Sequence, residues 1–179
     1  MDRDFNLTDR FIQGDVDAFS QVVALHQPRV TRLAYRLLGW QGEVDDVVQE
    51  TFLRALRHRR RFRGRSDLTT WLTAIAVNVC RTERRRRRLS LRRLFHPPPQ
   101  AQGACDELER DETMGRIRNA VQALPINERE VIVLYYLESL PVEGIGEILG
   151  CSPNAVNIRL HRARTTLKHR LADLAEVRP

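Results

Sequence analysis

The sequence predicts an all-α protein with two small helical domains joined by a flexible linker, the second domain being a helix-turn-helix. First, apolar residues recur at spacings of three and four in almost every segment, with no run of period two. Second, Pro97-Pro98-Pro99 and the polar residues after it interrupt that pattern. Third, the turn Gly150-Cys151-Ser152-Pro153 separates two helical segments. We therefore expect domains at 8–88 and 106–173, with a linker at 89–105.

In the first domain, Asp15 is suited to cap a helix that reaches about Gln27. Pro28 is predicted to restart the chain at a first-turn position, and Gly39 ends the apolar stripe that follows. The next helix, at about 43–60, is acidic early and arginine-rich late, which suits the helix macrodipole. Its predicted apolar face consists of Val44, Val47, Val48, Phe52, Ala55 and Leu56.

A fourth helix is predicted from about Leu68, with an apolar face of Leu68, Trp71, Leu72, Ile75, Ala76 and Val79. It ends in five consecutive arginines at 84–88. Such a run is either a solvated tail or a contact with nucleic acid. Because this helix also exposes Asn78 and Arg81, the pattern favours a nucleic-acid contact.

The second domain is predicted to begin with a helix at about 106–123, whose inward positions are Leu108, Met114, Ile117, Ala120, Val121 and Leu124. Asn127 and Glu130 have the spacing of a capping box. In the last helix, Val156, Leu160, Ala163, Leu167 and Leu171 form one apolar side. The opposite side collects Asn154, Asn157, Ile158, His161, Arg162 and Thr165. This pattern fits a DNA-reading helix, and a plain helical hairpin with a solvated basic face remains open.

The charge is unevenly distributed. Residues 1–96 hold 20 Arg and 11 Asp or Glu, a balance of +9, whereas residues 97–179 hold ten basic and 12 acidic residues, a balance of −2. Nearly all the positive charge is arginine, which binds phosphate in bidentate fashion and stacks on bases. The first domain therefore favours a polyanion as partner.

Several classes of function lack their sequence signals. Cys80, Cys105 and Cys151 form no C-x-x-C pair, so neither a zinc site nor a disulfide framework is predicted. No nucleophile-base pair or phosphate-cradling glycine loop stands out, so we expect no enzyme activity and no cofactor. We find no signal core and no bilayer-spanning apolar run, which predicts a soluble cytoplasmic protein without membrane insertion.

The motifs in this order resemble the extracytoplasmic-function (ECF) branch of the sigma-70 family of bacterial sigma factors. The resemblance covers nearly the whole chain. The matching segments are Gly14-Asp15-Val16-Asp17-Ala18-Phe19, Asp46 to Ala55, Phe62-Arg63-Gly64-Arg65-Ser66, Thr70-Trp71-Leu72, Ile75 to Asn78, Leu124-Pro125, Glu128 to Val131, and Arg159 to Arg164.

The resemblance implies a promoter-specificity subunit that directs core RNA polymerase to promoters and assists their opening. The helix from Asp45 to Leu56 would dock on the polymerase clamp helices, and the expected contacts are Asp45, Asp46, Gln49, Glu50 and Arg54. The linker would thread toward the polymerase active-site channel. An anti-sigma protein is a further partner that the resemblance allows, although nothing in this chain encodes it.

The resemblance also implies two DNA contacts, one with single-stranded and one with double-stranded promoter DNA. The −10 contacts would be Phe62, Arg63, Arg65, Ser66, Trp71, Asn78, Arg81, Arg84 and Arg85. They would hold a flipped base and track phosphates. The −35 contacts would be Asn154, Asn157, Ile158, His161 and Arg162. Trp71 can equally be a core residue or a surface on which a base stacks. The Asn78 side chain could bond the backbone instead of DNA. For His161, contact with a phosphate and contact with a base are both open.

The chain departs from the family pattern at Gly144 and Gly146, two glycines inside the helix before the turn, and at the missing serine cap of that helix. Each glycine should cost about 1 kcal/mol relative to alanine. We therefore expect a marginally stable second domain that becomes more stable on polymerase or DNA. The remaining alternatives are a different regulator that shares only the helix-turn-helix, an arginine-rich binder without sequence preference, and a small nuclease.

Overall fold

The computed structural model describes residues 2–39, 44–62, 64, 67–94 and 112–172. The chain divides into two compact units, Met1–Ala101 and Gln102–Pro179, described below as unit 1 and unit 2. Within the described residues every regular element is a helix. The all-α prediction with two helical domains is therefore confirmed. Most of the predicted linker, residues 95–105, lies outside the described residues.

Unit 1 contains four helices and a short 3₁₀ turn. They are α1 (Asp2–Gln13), α2 (Val16–Leu38), α3 (Val44–His58), the 3₁₀ turn Arg59–Arg61 and α4 (Leu68–Leu94). Helices α2, α3 and α4 pack against one another, and α1 lies on α2 and the 3₁₀ turn. The buried apolar side chains of α2, α3 and α4 are Ala18, Val22, Val30, Leu33, Ala34, Leu37, Leu38, Val44, Val47, Val48, Phe52, Ala55, Leu72, Ala76, Val77, Val79 and Cys80.

Helix α2 begins as the sequence predicts and then continues where a break was expected. The Asp15 carboxylate accepts hydrogen bonds from the amides of Asp17 and Ala18, and it pairs with Arg10 at 2.7 Å. The predicted restart at Pro28 is wrong, because one helix runs through Pro28 to Leu38. A proline inside a helix removes one backbone hydrogen bond. The exposed ring of Pro28 and the buried stripe on the other side of α2 allow the helix to continue.

Helix α4 is longer than predicted. It extends to Leu94, whereas the sequence pattern placed the start of the linker at residue 89. Leu72, Ala76 and Val79 are buried as expected, and Trp71 is half-buried. The backbone amide of Thr70 donates to the Asp67 side chain, so Asp67 caps the first turn of α4.

Unit 2 contains four helices and one π-helical turn. They are α5 (Glu112–Gln122), α6 (Ile126–Ile132), the π turn Val133–Leu137, α7 (Val142–Leu149) and α8 (Pro153–Arg170). Helix α8 packs on α5, α6 and α7. The buried apolar side chains are Ala120, Leu124, Val131, Ile132, Val133, Leu134, Leu140, Ile145, Leu149, Val156, Leu160 and Ala163.

Three expectations for the start of unit 2 are wrong. The capping box fails because Pro125 occupies the N-cap position, which leaves Asn127 inside α6 and no side chain bonded at the cap. Glu130, the other residue of the predicted box, is buried. Met114 and Ile117 are exposed rather than inward, because α5 buries only Ala120 near its end. Residues 106–111 lie outside the described part of the chain.

The turn between α7 and α8 is built as predicted. Gly150 has a left-handed φ of 66°, and its amide donates to the carbonyl of Gly146. The Cys151 amide donates to the same carbonyl at 2.9 Å. Pro153 lies in the first turn of α8, and the Ser152 hydroxyl accepts from the Ala155 amide at 3.2 Å. These contacts fix the start of α8 at Pro153.

The two glycines inside α7 are not equivalent. A Cβ added at Gly146 would lie 2.8 Å from the carbonyl oxygen of Cys151, which is closer than real contacts allow. A Cβ at Gly144 would meet only the Pro141 ring, at an ordinary 3.6 Å. The predicted loss of stability relative to alanine therefore applies at Gly144. At Gly146 a glycine is required, because the backbone of the turn approaches too closely for a Cβ.

Candidate functional site

The outward side of α3 is acidic and polar, as the sequence predicts. Asp45, Asp46 and Gln49 are exposed, while Val44, Val47, Val48, Thr51, Phe52 and Ala55 are buried on the other side. Glu50 and Arg54 are each about one-third exposed, and Arg54 Nε donates to Glu50 Oε1 at 2.6 Å. All five predicted docking residues thus reach one surface, which we call the α3 surface.

An exposed leucine, which the sequence reasoning missed, lies on the α3 surface. Leu53 is 38% exposed, although it is a large apolar residue. It follows Gln49 by four residues and Glu50 by three, so it lies between them on the helix surface. An apolar residue at the centre of a polar surface is a common feature of protein interfaces. The sequence did contain a sign of this exposure, because Leu53 lies outside the apolar stripe of the predicted helix.

The segment after α3 contributes an aromatic cluster rather than free rings. Phe62 is only 8% exposed, and its ring centroid lies 5.3 Å from that of Trp71. Trp71 in turn lies 6.4 Å from Phe11. Phe62 therefore has no open ring face on which a base could stack. Arg63, Arg65 and Ser66 lie outside the described residues, and Gly64 between them has a left-handed φ of 65°.

A groove of about 890 Å³ lies between α1, α2 and the segment 62–69. Apolar and basic side chains line it together, and Phe62 is one of the lining residues. Its lining residues are Leu7, Thr8, Asp9, Ile12, Leu25, His26, Arg29, Arg32, Phe62, Gly64, Asp67, Leu68 and Thr69. Sequence reasoning missed His26, Arg29 and Arg32, because residues far apart in the chain meet only in the folded unit.

The predicted contacts on α4 form a stripe along one side of the helix. Asn78 and Arg85 are exposed, while Arg81 and Arg84 are partly buried. Trp71, Asn78 and Arg85 are separated by seven residues each, so they lie nearly in line at about 10.5 Å intervals. Arg84 lies about a third of a turn away from this line. The stripe begins beside the aromatic cluster and continues into the arginine run.

The outward side of α8 is as predicted. Asn154, Asn157, Ile158, His161 and Arg162 are all exposed, and Ile158 is 45% exposed. Val156, Leu160 and Ala163 on the opposite side are fully buried. Helix α8 contains five basic residues and no acidic one. The exposed groups can hydrogen-bond and contact methyl groups, which is the chemistry of base edges in the major groove.

Two other kinds of site have no candidate in the described part of the chain. No cluster of His, Cys, Asp or Glu there is suited to hold a metal ion. No helix in the same residues has the length and hydropathy to cross a membrane.

The chain matches two family models, sigma-70 region 2 at residues 22–90 and sigma-70 region 4 at residues 114–167. The ECF RNA polymerase sigma factor SigW of Bacillus subtilis is 31% identical, covering 90% of this chain and 93% of that protein. The RNA polymerase sigma factor CarQ of Myxococcus xanthus is 30% identical, with coverage of 93% and 96%.

Two solved structures are also similar. The sigma factor RpoE of Bartonella quintana, solved with the anti-sigma factor NepR, has a TM-score of 0.77 at 24% identity, covering 88% of this chain and 98% of that one. CnrH, solved with the cytosolic domain of CnrY, has a TM-score of 0.69 at 29% identity, with coverage of 95% and 97%. The chain therefore belongs to the ECF sigma factors of the sigma-70 family and functions as an RNA polymerase sigma factor in promoter-directed transcription.

Proposed function

We propose that the two units divide the work of a sigma factor, with unit 1 binding core RNA polymerase and the −10 element and unit 2 binding the −35 element. The observation that carries this proposal is the α3 surface. Asp45, Asp46 and Gln49 are exposed on an otherwise basic unit, and the exposed Leu53 lies one turn after Gln49 on the same side of α3. An acidic surface repels DNA, so binding to polyanions alone does not explain its presence. A protein partner explains it.

At the −10 element, the groove beside Gly64 binds a base that is flipped out of the single-stranded promoter DNA. A groove of about 890 Å³ that apolar side chains, two arginines and a histidine line can hold a base and bind its phosphate. Phe62 serves as part of the wall, since its ring is buried against Trp71. Arg63, Arg65 and Ser66 complete this contact from the loop. Trp71, Asn78, Arg81, Arg84 and Arg85 extend it along α4.

At the −35 element, α8 enters the major groove with its exposed side toward the bases. Asn157 is suited to bond adenine through its amide, and Ile158 to contact a thymine methyl group. Asn154, His161 and Arg162 flank them on the same exposed side. The buried row of Val156, Leu160 and Ala163 fixes the helix on unit 2, so the reading groups are held rigidly.

The chain supplies no chemistry of its own in this proposal, because the polymerase forms the phosphodiester bonds. It acts in the cytoplasm, where polymerase and promoters are. An anti-sigma protein is a second proposed partner, and the sigma factor RpoE of Bartonella quintana, a structure similar to this chain, was solved with the anti-sigma factor NepR. Such a partner would restrain the factor until a signal releases it.

Run-off transcription with core polymerase on a promoter library tests the proposal. The full chain should direct initiation from a specific subset of promoters. Asp46→Arg and Glu50→Arg should each reduce initiation more than about tenfold, because a reversed charge at a protein interface costs several kcal/mol. Native gel binding to core polymerase should fall in parallel.

The matched control is Asp17→Arg, which reverses an exposed acid on α2, away from the α3 surface. It should leave initiation within about twofold of the original, given that a surface change of this kind costs little. All three variants should keep their helical circular dichroism. Equal initiation by the Asp46 and Glu50 variants and the original would show that the α3 surface is not the docking site.

A further inference from the structure

Arg164 on α8 is held by two tyrosines from another element. Its Nε donates to the hydroxyl of Tyr136 at 2.9 Å. Its guanidinium carbon lies 5.6 Å from the ring centroids of both Tyr135 and Tyr136. The two rings meet edge to face at 5.0 Å. A hydrogen bond and two cation–π contacts therefore fix a side chain that an exposed position would otherwise leave mobile.

The two tyrosines come from the π turn Val133–Leu137. At its end, the amide of the next residue, Glu138, donates to the carbonyl of Val133 at 3.1 Å. Tyr136 is 53% exposed, which is a high exposed fraction for a large aromatic residue. Single π turns inside helices are often found at functional positions. The exposed tyrosine is explained if its task is to hold Arg164.

Arg164 lies at the flank of the reading side of α8. At 100° per residue it is about 20° from Asn157 around the helix and about 10.5 Å further along the axis. The centre of the exposed side, near Ile158, is about a third of a turn away. When a helix lies in the major groove, its central residues meet base edges and its flanks meet the phosphates. Arg164 shares an edge of α8 with Asn157 but lies about two turns further along the axis, and this position at the side and far end of the reading surface points to a phosphate.

We propose that Arg164 is a phosphate-binding residue at the flank of α8 and that Tyr136 is its positioning residue, an inference that rests on the proposed function of unit 2. The hydrogen bond to Tyr136 uses Nε, so it leaves the two Nη atoms of the guanidinium as further donors for an anion. Within the described residues Arg164 makes no ion pair. Guanidinium matches phosphate geometry in bidentate fashion, and holding it in place removes the entropy cost of ordering it on binding.

The test is binding of the full chain to a fluorescent mixed-sequence DNA duplex, titrated between about 50 and 200 mM salt. Arg164→Ala should lower the slope of log affinity against log salt by about 0.9, the release of one counterion, and the affinity about eightfold at about 0.1 M salt. Arg164→Lys should retain the slope but lose affinity about threefold, since lysine keeps the charge without the Nε bond.

Tyr136→Phe isolates the positioning role. It removes only the hydroxyl, so the slope should stay unchanged while affinity falls about threefold, to match Arg164→Lys. Combined with Arg164→Ala it should add no further loss, because the hydroxyl acts only through Arg164. Tyr135→Phe is the matched control, since it removes a hydroxyl that makes no bond to Arg164, and its affinity should equal that of the original chain.

An unchanged salt slope for Arg164→Ala would overturn the phosphate contact, and an additive loss in the double variant would overturn the positioning role. Run-off transcription separates these failures from failure of the proposed function. If the original chain initiates at promoters while Arg164→Ala binds duplex normally, only the Arg164 inference is wrong. If the original chain fails to initiate, the proposed function is wrong.

Discussion

The two units use different means to reach the same all-helical class. Unit 1 rests on long helices, with 23 residues in α2 and 27 in α4, whose buried stripes pack along much of their length. In unit 2, α6 and α7 have seven and eight residues, too few to be stable alone. Their positions depend on backbone turns, at Pro125 and at Gly146 to Pro153. Long periodic helices tolerate local defects such as Pro28, whereas short helices depend on each turn between them.

The largest expected difference between the units concerns a lost core side chain. Leu72 in unit 1 and Leu160 in unit 2 are each 1% exposed. Replacing either by alanine should cost about 2–5 kcal/mol. Because the smaller core of unit 2 holds less stability in reserve, Leu160→Ala should unfold unit 2 at room temperature while Leu72→Ala leaves unit 1 folded.

Hydrogen exchange of the full chain measures both outcomes residue by residue. In the original chain, amides of unit 2 should exchange faster than those of residues 15–80, and they should slow when polymerase or DNA is added. If exchange in unit 2 is as slow as in residues 15–80 without a partner, the second unit is not marginal and the comparison fails.

The two glycines of α7 sharpen the comparison with a smaller effect. Gly146→Ala should destabilise unit 2 by about 1–3 kcal/mol, because its Cβ would lie 2.8 Å from the Cys151 carbonyl oxygen and force the turn to shift. Gly144→Ala is the control on the same helix and should stabilise unit 2 by up to about 1 kcal/mol. Urea unfolding followed by circular dichroism measures both, and equal effects of the same sign would contradict the required close approach at Gly146.

The smallest effects are expected at the two helix caps. Ser152→Ala should cost unit 2 about 1 kcal/mol at any pH, because a hydroxyl does not titrate in this range. Asp15 differs, since the Ala18 amide and the Arg10 side chain lower the pKa of its carboxyl below the ordinary 3.8. Its charged form is favoured in the fold, so its contribution is fully present above about pH 3.8 and is lost as the pH falls below that value through the lowered pKa of the folded state.

Chemical unfolding at about pH 6 and about pH 3 measures this difference. Asp15→Asn keeps a capping oxygen and should make unit 1 less sensitive to acid, whereas Ser152→Ala should leave the acid sensitivity of the chain unchanged. If Asp15→Asn has the same acid sensitivity as the original chain, the carboxylate of Asp15 is not responsible for it.

Much of the fold could be predicted because single residues determine local geometry. Asp15, Gly39, Gly150 and Pro153 each lie at the helix end that their chemistry favours. Pro28 misled the prediction because its local preference was outweighed by the packing of the whole helix. The capping-box prediction was wrong because the N-cap is Pro125, two residues before the asparagine that fits the motif.

The candidate site could be predicted only in part for a similar reason. Exposed residues on single helices, such as Asp46 on α3 and Asn157 on α8, follow from helical spacing. The groove joins α1, α2 and the segment 62–69, and the Arg164 contact joins residues 28 positions apart, so neither is visible in a local pattern. Phe62 was expected as a base contact, yet its burial depends on Trp71 from the next helix.

The turn between α7 and α8 has a consequence for how this protein can diverge. It is closed by backbone groups, with the carbonyl of Gly146 accepting the amides of both Gly150 and Cys151. The exposed side chains of Asn154, Asn157, Ile158, His161 and Arg162 therefore take no part in closing this turn. If these side chains read the −35 element as proposed, substitutions among them can change the promoter that is recognised and leave the turn between α7 and α8 intact.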